Sequence, residues 1–158
     1  EKTKHGLSHV SLAGRWQVIQ EDPLVVLDAC HNQEGAAALR KQLEKLPDNK
    51  ELIIWFGSLA EDRASEILRV LCEFASEIRF FQPGQPRACS FEMLQSLIPS
   101  EYSKHLFNGE IERVQIYLDQ IKSNQILLIT GSIYLLGEIM EIVKSQKNTL
   151  GTGFQDLV

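Results

Sequence analysis

The sequence predicts an α/β domain, a Rossmann-like three-layer arrangement with a mostly parallel sheet, an N-terminal antiparallel hairpin and helices on both faces. Continuously apolar, β-branched runs at 24–27, 52–56 and 126–129 have the pattern of strands buried on both sides. Amphipathic stretches alternate with these runs, which implies right-handed crossovers that place helices on both faces of the sheet. The chain has 158 residues, 44% of them hydrophobic and 23% charged, which suits one core in one domain and not a disordered segment.

Residues 1–13 have little periodicity and read as a linker or arm. The runs 16–20 and 24–29 are separated by Glu21-Asp22-Pro23, a hairpin signal. Residues 33–46 are rich in Ala, Leu, Glu and Lys, with Leu39, Leu43 and Leu46 on one stripe, and Pro47 stops that helix. A strand at 52–56, a helix at 61–75 and a strand at 78–81 complete the next unit. Pro83-Gly84-Gln85-Pro86 breaks the chain before a short helix over 90–97, and 104–107 reads as a short strand. Ile111, Val114, Leu118 and Ile121 recur at helical spacing. A buried strand at 126–129 and a helix at 133–143 follow. From Lys144 onward the chain reads as irregular, with the domain drawn over 14–146 and the tail over 147–158.

Composition excludes several functions. Lys and Arg number 16 against 21 Asp and Glu, for a formal charge of -5, so no basic footprint for nucleic acid exists. The longest apolar stretch, 126–140, is interrupted by Thr130, Gly131, Ser132 and Glu138 and is too short for a bilayer span. The N-terminus lacks the apolar segment of a secretory signal. Cys30, Cys72 and Cys89 are an odd number without Cys-x-x-Cys spacing, which argues against a disulfide framework and zinc and suits a reducing cytoplasm. Starting on polar residues without an initiator Met, the chain reads as a piece of something longer.

In such folds ligands bind beyond the carboxyl ends of the strands. At the first such junction, Asp28-Ala29-Cys30-His31-Asn32, Asp28 suits ribose hydroxyls or a cation. His31 and the free N–H groups of the following helix suit a carboxylate or phosphate; capping by Asp28 and Asn32 is the plainer alternative. Thr130-Gly131-Ser132 is the second junction, where Gly131 permits close approach and Ser132 is either an N-cap or a ligand contact. At the third, Gly57-Ser58-Leu59-Ala60-Glu61-Asp62, the acids complement a helix dipole and no catalytic role is assigned. Arg15, beside Gly14, suits a phosphate, while Trp16 reads as core. Gly-x-x-x-x-Gly-Lys-Ser/Thr and Gly-x-Gly-x-x-Gly are both absent, and Gly151-Thr152-Gly153 matches neither. His5 and His9 lie in the unpatterned arm, His105 is isolated, and Cys30 beside His31 is a poor nucleophile pair because adjacent turn residues seldom face each other.

Taken together, Gly14-Arg15, Asp28-Ala29-Cys30-His31-Asn32, Phe56-Gly57, Pro86-Arg87-Ala88 and Thr130-Gly131-Ser132-Ile133-Tyr134-Leu135 follow the order and spacing of one family. From about Leu12 to Met140 the chain resembles the C-terminal domain of folylpolyglutamate synthase/dihydrofolate synthase, within the Mur ligase superfamily. The resemblance implies an ATP-dependent ligase that phosphorylates a dihydropteroate or folate carboxylate and joins it to L-glutamate. It further implies that Arg15 and Asp28 serve ATP, that His31 and Ser132 hold glutamate, and that Asn32, Gly131 and Tyr134 support them. Mg²⁺ ligands and the phosphate loop are expected in a missing N-terminal ATPase domain, to which 1–13 would link. No catalytic residue and no metal ligand is therefore assigned to this fragment, which is expected to be a monomer and inactive alone.

The family usually reads Asp-Gly-Ala-His-Asn, whereas Ala29 and Cys30 stand here and narrow the room for close backbone approach. Its Asp-Lys-Asp corresponds to Glu61-Asp62-Arg63, which displaces the cation by one position. A Mur peptidoglycan ligase and a non-catalytic nucleotide- or amino-acid-binding regulator are the alternatives. The Thr-Gly-Ser-x-Tyr-Leu turn favours the folate-type ligase.

Overall fold

A computed structural model describes residues 15–149. The proposed arm and Gly14 lie outside the described residues, as does the tail beyond 149. In chain order the elements are β1 (Gln17–Glu21), β2 (Leu24–Asp28), α1 (Gln33–Leu43), β3 (Glu51–Gly57), α2 (Glu61–Phe74), β4 (Glu77–Phe81) and α3 (Phe91–Ser96). There follow β5 (Leu106–Gly109), α4 (Val114–Asp119), β6 (Gln125–Gly131) and α5 (Ile133–Thr149). The sheet has six strands in the order β1-β2-β6-β3-β4-β5, with β1 antiparallel to β2 and every other pairing parallel.

Strand order decides where the helices go. The connections β2→β3, β3→β4 and β4→β5 all step the same way across the sheet, so right-handed crossovers put α1, α2 and α3 on one face. The step β5→β6 returns the other way, which sends α4 to the opposite face. Packing agrees: Leu39, Leu43, Leu68, Leu71 and Leu94 join Val26, Ile54, Phe56 and Leu128 in one core layer. Val114, Tyr117, Leu135 and Ile139 join Val25, Trp55, Leu127 and Ile129 in the other. Strict alternation along β2, β3 and β6 feeds both layers, which is why these strands read as unbroken apolar runs.

The structure departs from the sequence reading in three places. The first helix ends at Leu43, not at Leu46, and 44–46 continue in tighter turns, with Lys45 N–H to Gln42 O at 3.1 Å and Leu46 N–H to Leu43 O at 3.1 Å. Pro47 disfavours helical backbone at the residue before it. The strand expected at 104–107 is Leu106–Gly109, preceded by a 3-10 helix over Ser100–His105, and the helix through Ile111 begins as a 3-10 turn at Ile111–Arg113. The last helix continues to Thr149, six residues beyond the expected Val143. Lys144, Ser145 and Gln146 contain no helix breaker and are exposed, so the loss of the apolar stripe there signalled exposure and not irregular chain.

Candidate functional site

The winding reversal opens a crevice. Beyond β2 the chain turns to the α1 face, beyond β6 to the α5 face and beyond β3 back to the α2 face, so the three loops diverge. Register aligns them: Asp28 lies beside Thr130, Phe56 beside Thr130, and Gly57 beside Gly131. The backbones meet closely here, because Ser132 N–H donates to Gly57 O at 2.8 Å. Gly131 has φ of +108°, and a Cβ on it would stand 2.1 Å from Gly57 O, so only glycine fits.

Between the loops lies a cleft of about 340 Å³ lined by residues of four strand ends, among them Cys30, His31, Ser58, Arg63, Arg87, Ser132 and Tyr134. His31 and Ser132 therefore converge, with Gly131 and Tyr134 beside them. His31 Nδ1 lies 2.9 Å from Ala29 O. A carbonyl only accepts, so Nδ1 carries the hydrogen and Nε2 is the ring atom left for a ligand. Ser132 caps α5: its Oγ accepts from Tyr134 N–H at 3.1 Å, which leaves the hydroxyl hydrogen to donate. Ile133 and Tyr134 are exposed although apolar, at 64% and 49%.

Asp28, Arg15 and Asn32 do not line the cleft. Asn32 is a cap, its Oδ1 accepting from Gly35 N–H at 2.8 Å. Asp28 is 9% exposed and its Oδ2 accepts from Trp16 N–H at 2.9 Å. Burial pushes its carboxyl pKa up, against the opposing pull of the Trp16 N–H, Arg15 and the Cys30 N–H. Trp16 has φ of 41°, a costly conformation for a bulky residue, and the Asp28 bond fixes it there. Asp28 thus holds the Arg15-Trp16 backbone at this edge of the sheet. Trp16 is partly buried and packs against the core, as its reading required. Cys30 is no nucleophile, since burial and then the Asp28 charge push its thiol up to about 12.

The third junction contributes more than a dipole complement. It supplies Ser58, Leu59, Ala60 and Arg63 to the cleft, and α2 starts at Ala60 with no side-chain cap. Sequence reasoning gave no role to Arg63 or Arg87. Arg40, Arg69, Arg79 and Arg113 each pair with a glutamate, whereas Arg63 and Arg87 make no ion pair with a carboxylate among the described residues and Arg15 interacts electrostatically with Asp28. Those arginines cluster at this end of the sheet. The signal was available, because Arg63 and Arg87 both lie in segments that follow a strand's carboxyl end.

Among known proteins, the family model described as Mur ligase, glutamate ligase domain, matches residues 14–133. The chain belongs to that family. The dihydrofolate synthase/folylpolyglutamate synthase of Bacillus subtilis is 30% identical over 145 residues, covering 91% of this chain and 33% of that protein. E. coli FolC in complex with ADP superposes with a TM-score of 0.73 at 22% identity, over 85% of this chain and 32% of FolC. A bifunctional folylpolyglutamate synthase/dihydrofolate synthase with Mn, AMPPNP and L-glutamate bound gives a TM-score of 0.68 at 23% identity, over 82% of this chain and 31% of that one. The structural likenesses bear on the fold, and the mostly parallel sheet with its N-terminal hairpin is the one that the apolar runs and the turn at 21–23 predicted. This chain spans about a third of the length of the relatives it matches.

Proposed function

We propose that this chain is the C-terminal, glutamate-receiving module of a longer ATP-dependent ligase that adds L-glutamate to a dihydropteroate or folate carboxylate through an acyl phosphate. One observation carries the reading: His31, Arg63 and Arg87 line a cleft that no Asp or Glu among the described residues lines. L-Glutamate brings two carboxylates to these groups. Guanidinium binds a carboxylate through paired N–H donors, the Ser132 hydroxyl adds a further donor, and His31 Nε2 is the ring atom left to meet the ligand.

With no carboxylate in the lining, the α-ammonium has no counter-charge in the cleft and is left as the reacting group. After losing a proton the amine attacks the acyl-phosphate carbon. The C–N bond forms, the C–O bond to phosphate breaks, and phosphate leaves with the bonding pair. The module contributes position: it holds the nucleophile where a second domain presents the activated acid, the main part of catalysis by such sites. Arg15 is assigned to ATP phosphate, and Asp28 serves the nucleotide by holding Arg15 in place. Among the described residues no group of three or more His, Cys, Asp or Glu side chains is placed for a metal ion. The Mg²⁺ that accompanies ATP is accordingly assigned to residues outside those described.

No described helix is long and apolar enough to cross a membrane, and Cys30, Cys72 and Cys89 are all free thiols. Both facts support a cytoplasmic setting, and a monomer suffices for the chemistry. The test is turnover by the intact protein. ATP consumption is expected only when L-glutamate and a folate or pteroate acceptor are both present. His31→Ala should raise the glutamate KM about tenfold or more, the worth of a charge-assisted hydrogen bond, with the KM for ATP unchanged. ATP consumption indifferent to glutamate, or an unchanged glutamate KM in the variant, would contradict the reading.

A further inference from the structure

The loop that carries Arg87 is tied to a helix on the far layer. After β4 the chain crosses the carboxyl edge of the sheet toward α3, and its course is fixed at two points. Gly84 N–H donates to Glu138 Oε1 at 2.6 Å, with Glu138 on α5. Cys89 N–H donates to Ser58 O at 2.8 Å, beside the start of α2. Between these anchors the loop is tightly turned, with Gln85 N–H to Pro83 O at 2.7 Å and Ala88 N–H to Gln85 O at 3.0 Å. Arg87 lies inside that span and lines the cleft.

We propose that Glu138 is the positioning residue for Arg87, holding the guanidinium against the same ligand that Ser132 contacts. The proposal rests on the functional reading above. Gly84 is exposed, so water would satisfy its N–H and folding does not require the carboxylate. The carboxylate oxygen is a directional acceptor, and a Cβ on Gly84 would stand 3.1 Å from it, a close approach that a larger residue would relieve by displacing the Glu138 side chain. Glu138 makes no ion pair with a described residue, and the Gly84 N–H is the hydrogen-bond donor its side-chain oxygen accepts from among the described residues. Ser132 caps the same helix two turns away. The two ligand-contacting groups, one on the helix and one on a loop, are thereby referenced to a single rigid element.

The experiment is an amide-shift titration of the ¹⁵N-labelled chain with L-glutamate, for the wild type, E138A, E138Q, R87A and E138A/R87A. The Arg87 Nε–H heteronuclear NOE is recorded on the ligand-free samples. E138A should weaken L-glutamate about fivefold and lower the Arg87 NOE, whereas E138Q, whose amide oxygen accepts the same N–H, stays within about twofold. On the R87A background E138A should cost nothing further, a coupling that general loss of stability would not produce. An equal loss on both backgrounds, wild-type affinity in E138A, or E138Q as weak as E138A would overturn the proposal. Should the wild type fail to bind L-glutamate, the functional reading falls, and the ligand-free NOE alone decides: unchanged Arg87 mobility in E138A then overturns the tether too.

Discussion

Asp28 illustrates how a residue singled out for ligand contact can act one step away from it. Its carboxylate is occupied by the Trp16 and Cys30 N–H groups, and desolvation is the largest influence on its ionisation. A carboxyl whose pKa is raised in the fold binds its proton more tightly there than in the unfolded chain. Its contribution therefore favours folding at low pH and is lost, becoming a cost, as pH rises through the folded value. Asp28→Asn keeps an acceptor for Trp16 N–H without the charge. Thermal melts should show the variant at or above wild type at pH 7, the difference closing as pH falls through the ordinary aspartate range. A variant clearly less stable at pH 7 would show that the negative charge itself holds the Arg15-Trp16 turn. His31 after β2 and Ser132 after β6 were legible because a polar residue just after a buried strand has few structural reasons to be there. Arg63, in the first turn of α2, and Arg87, in a loop, were marked in the sequence only by following a strand's carboxyl end, and the tertiary fold alone shows that neither makes an ion pair with an acidic residue among the described residues.

At the scale of elements, the strands and long helices were readable because both faces of β2, β3 and β6 are buried, which leaves an unbroken apolar signature. The region 98–121 was readable only in part: its strand and its helix were expected, but with other bounds. There short 3-10 turns, a four-residue edge strand and a six-residue helix replace one another within a few residues, and burial supplies little period. The start of α2 is informative in another way. Ala60 has extended backbone, φ -146° and ψ 123°, suited to an N-cap, yet offers no side-chain acceptor, and the Ser58 hydroxyl is spent on Ala60. Ala60→Asp should supply the missing cap and raise stability by about 1 kcal/mol. It would also place a carboxylate in a cleft built for anions, so L-glutamate should bind more weakly although the protein melts later. Increased stability with unchanged glutamate affinity, measured by melting and titration on one sample, would argue that the exposed N–H groups of α2 take no part in binding.

For the whole molecule, strand order concentrates chemistry at one edge. The reversal at β6 spreads three loops apart, the missing Cβ of Gly131 lets its backbone touch that of Gly57, and Arg63 and Arg87, which make no ion pair among the described residues, line the cleft at that end. A second groove, lined by Ile19, Leu118, Asp119, Ile139 and Val143 among others, offers mostly apolar surface and no cation among the described residues. A dicarboxylate amino acid is the ligand that these contrasts favour, and the selectivity of the chain for it tests the account most directly. In amide-shift titrations, L-glutamate is expected to move the resonances of Cys30, His31, Arg63, Arg87, Ser132 and Tyr134 saturably, while L-lysine at equal concentration moves none of them. Equal responses to both amino acids, no response to glutamate, or shifts centred on Ile19, Leu118 and Ile139 would contradict it.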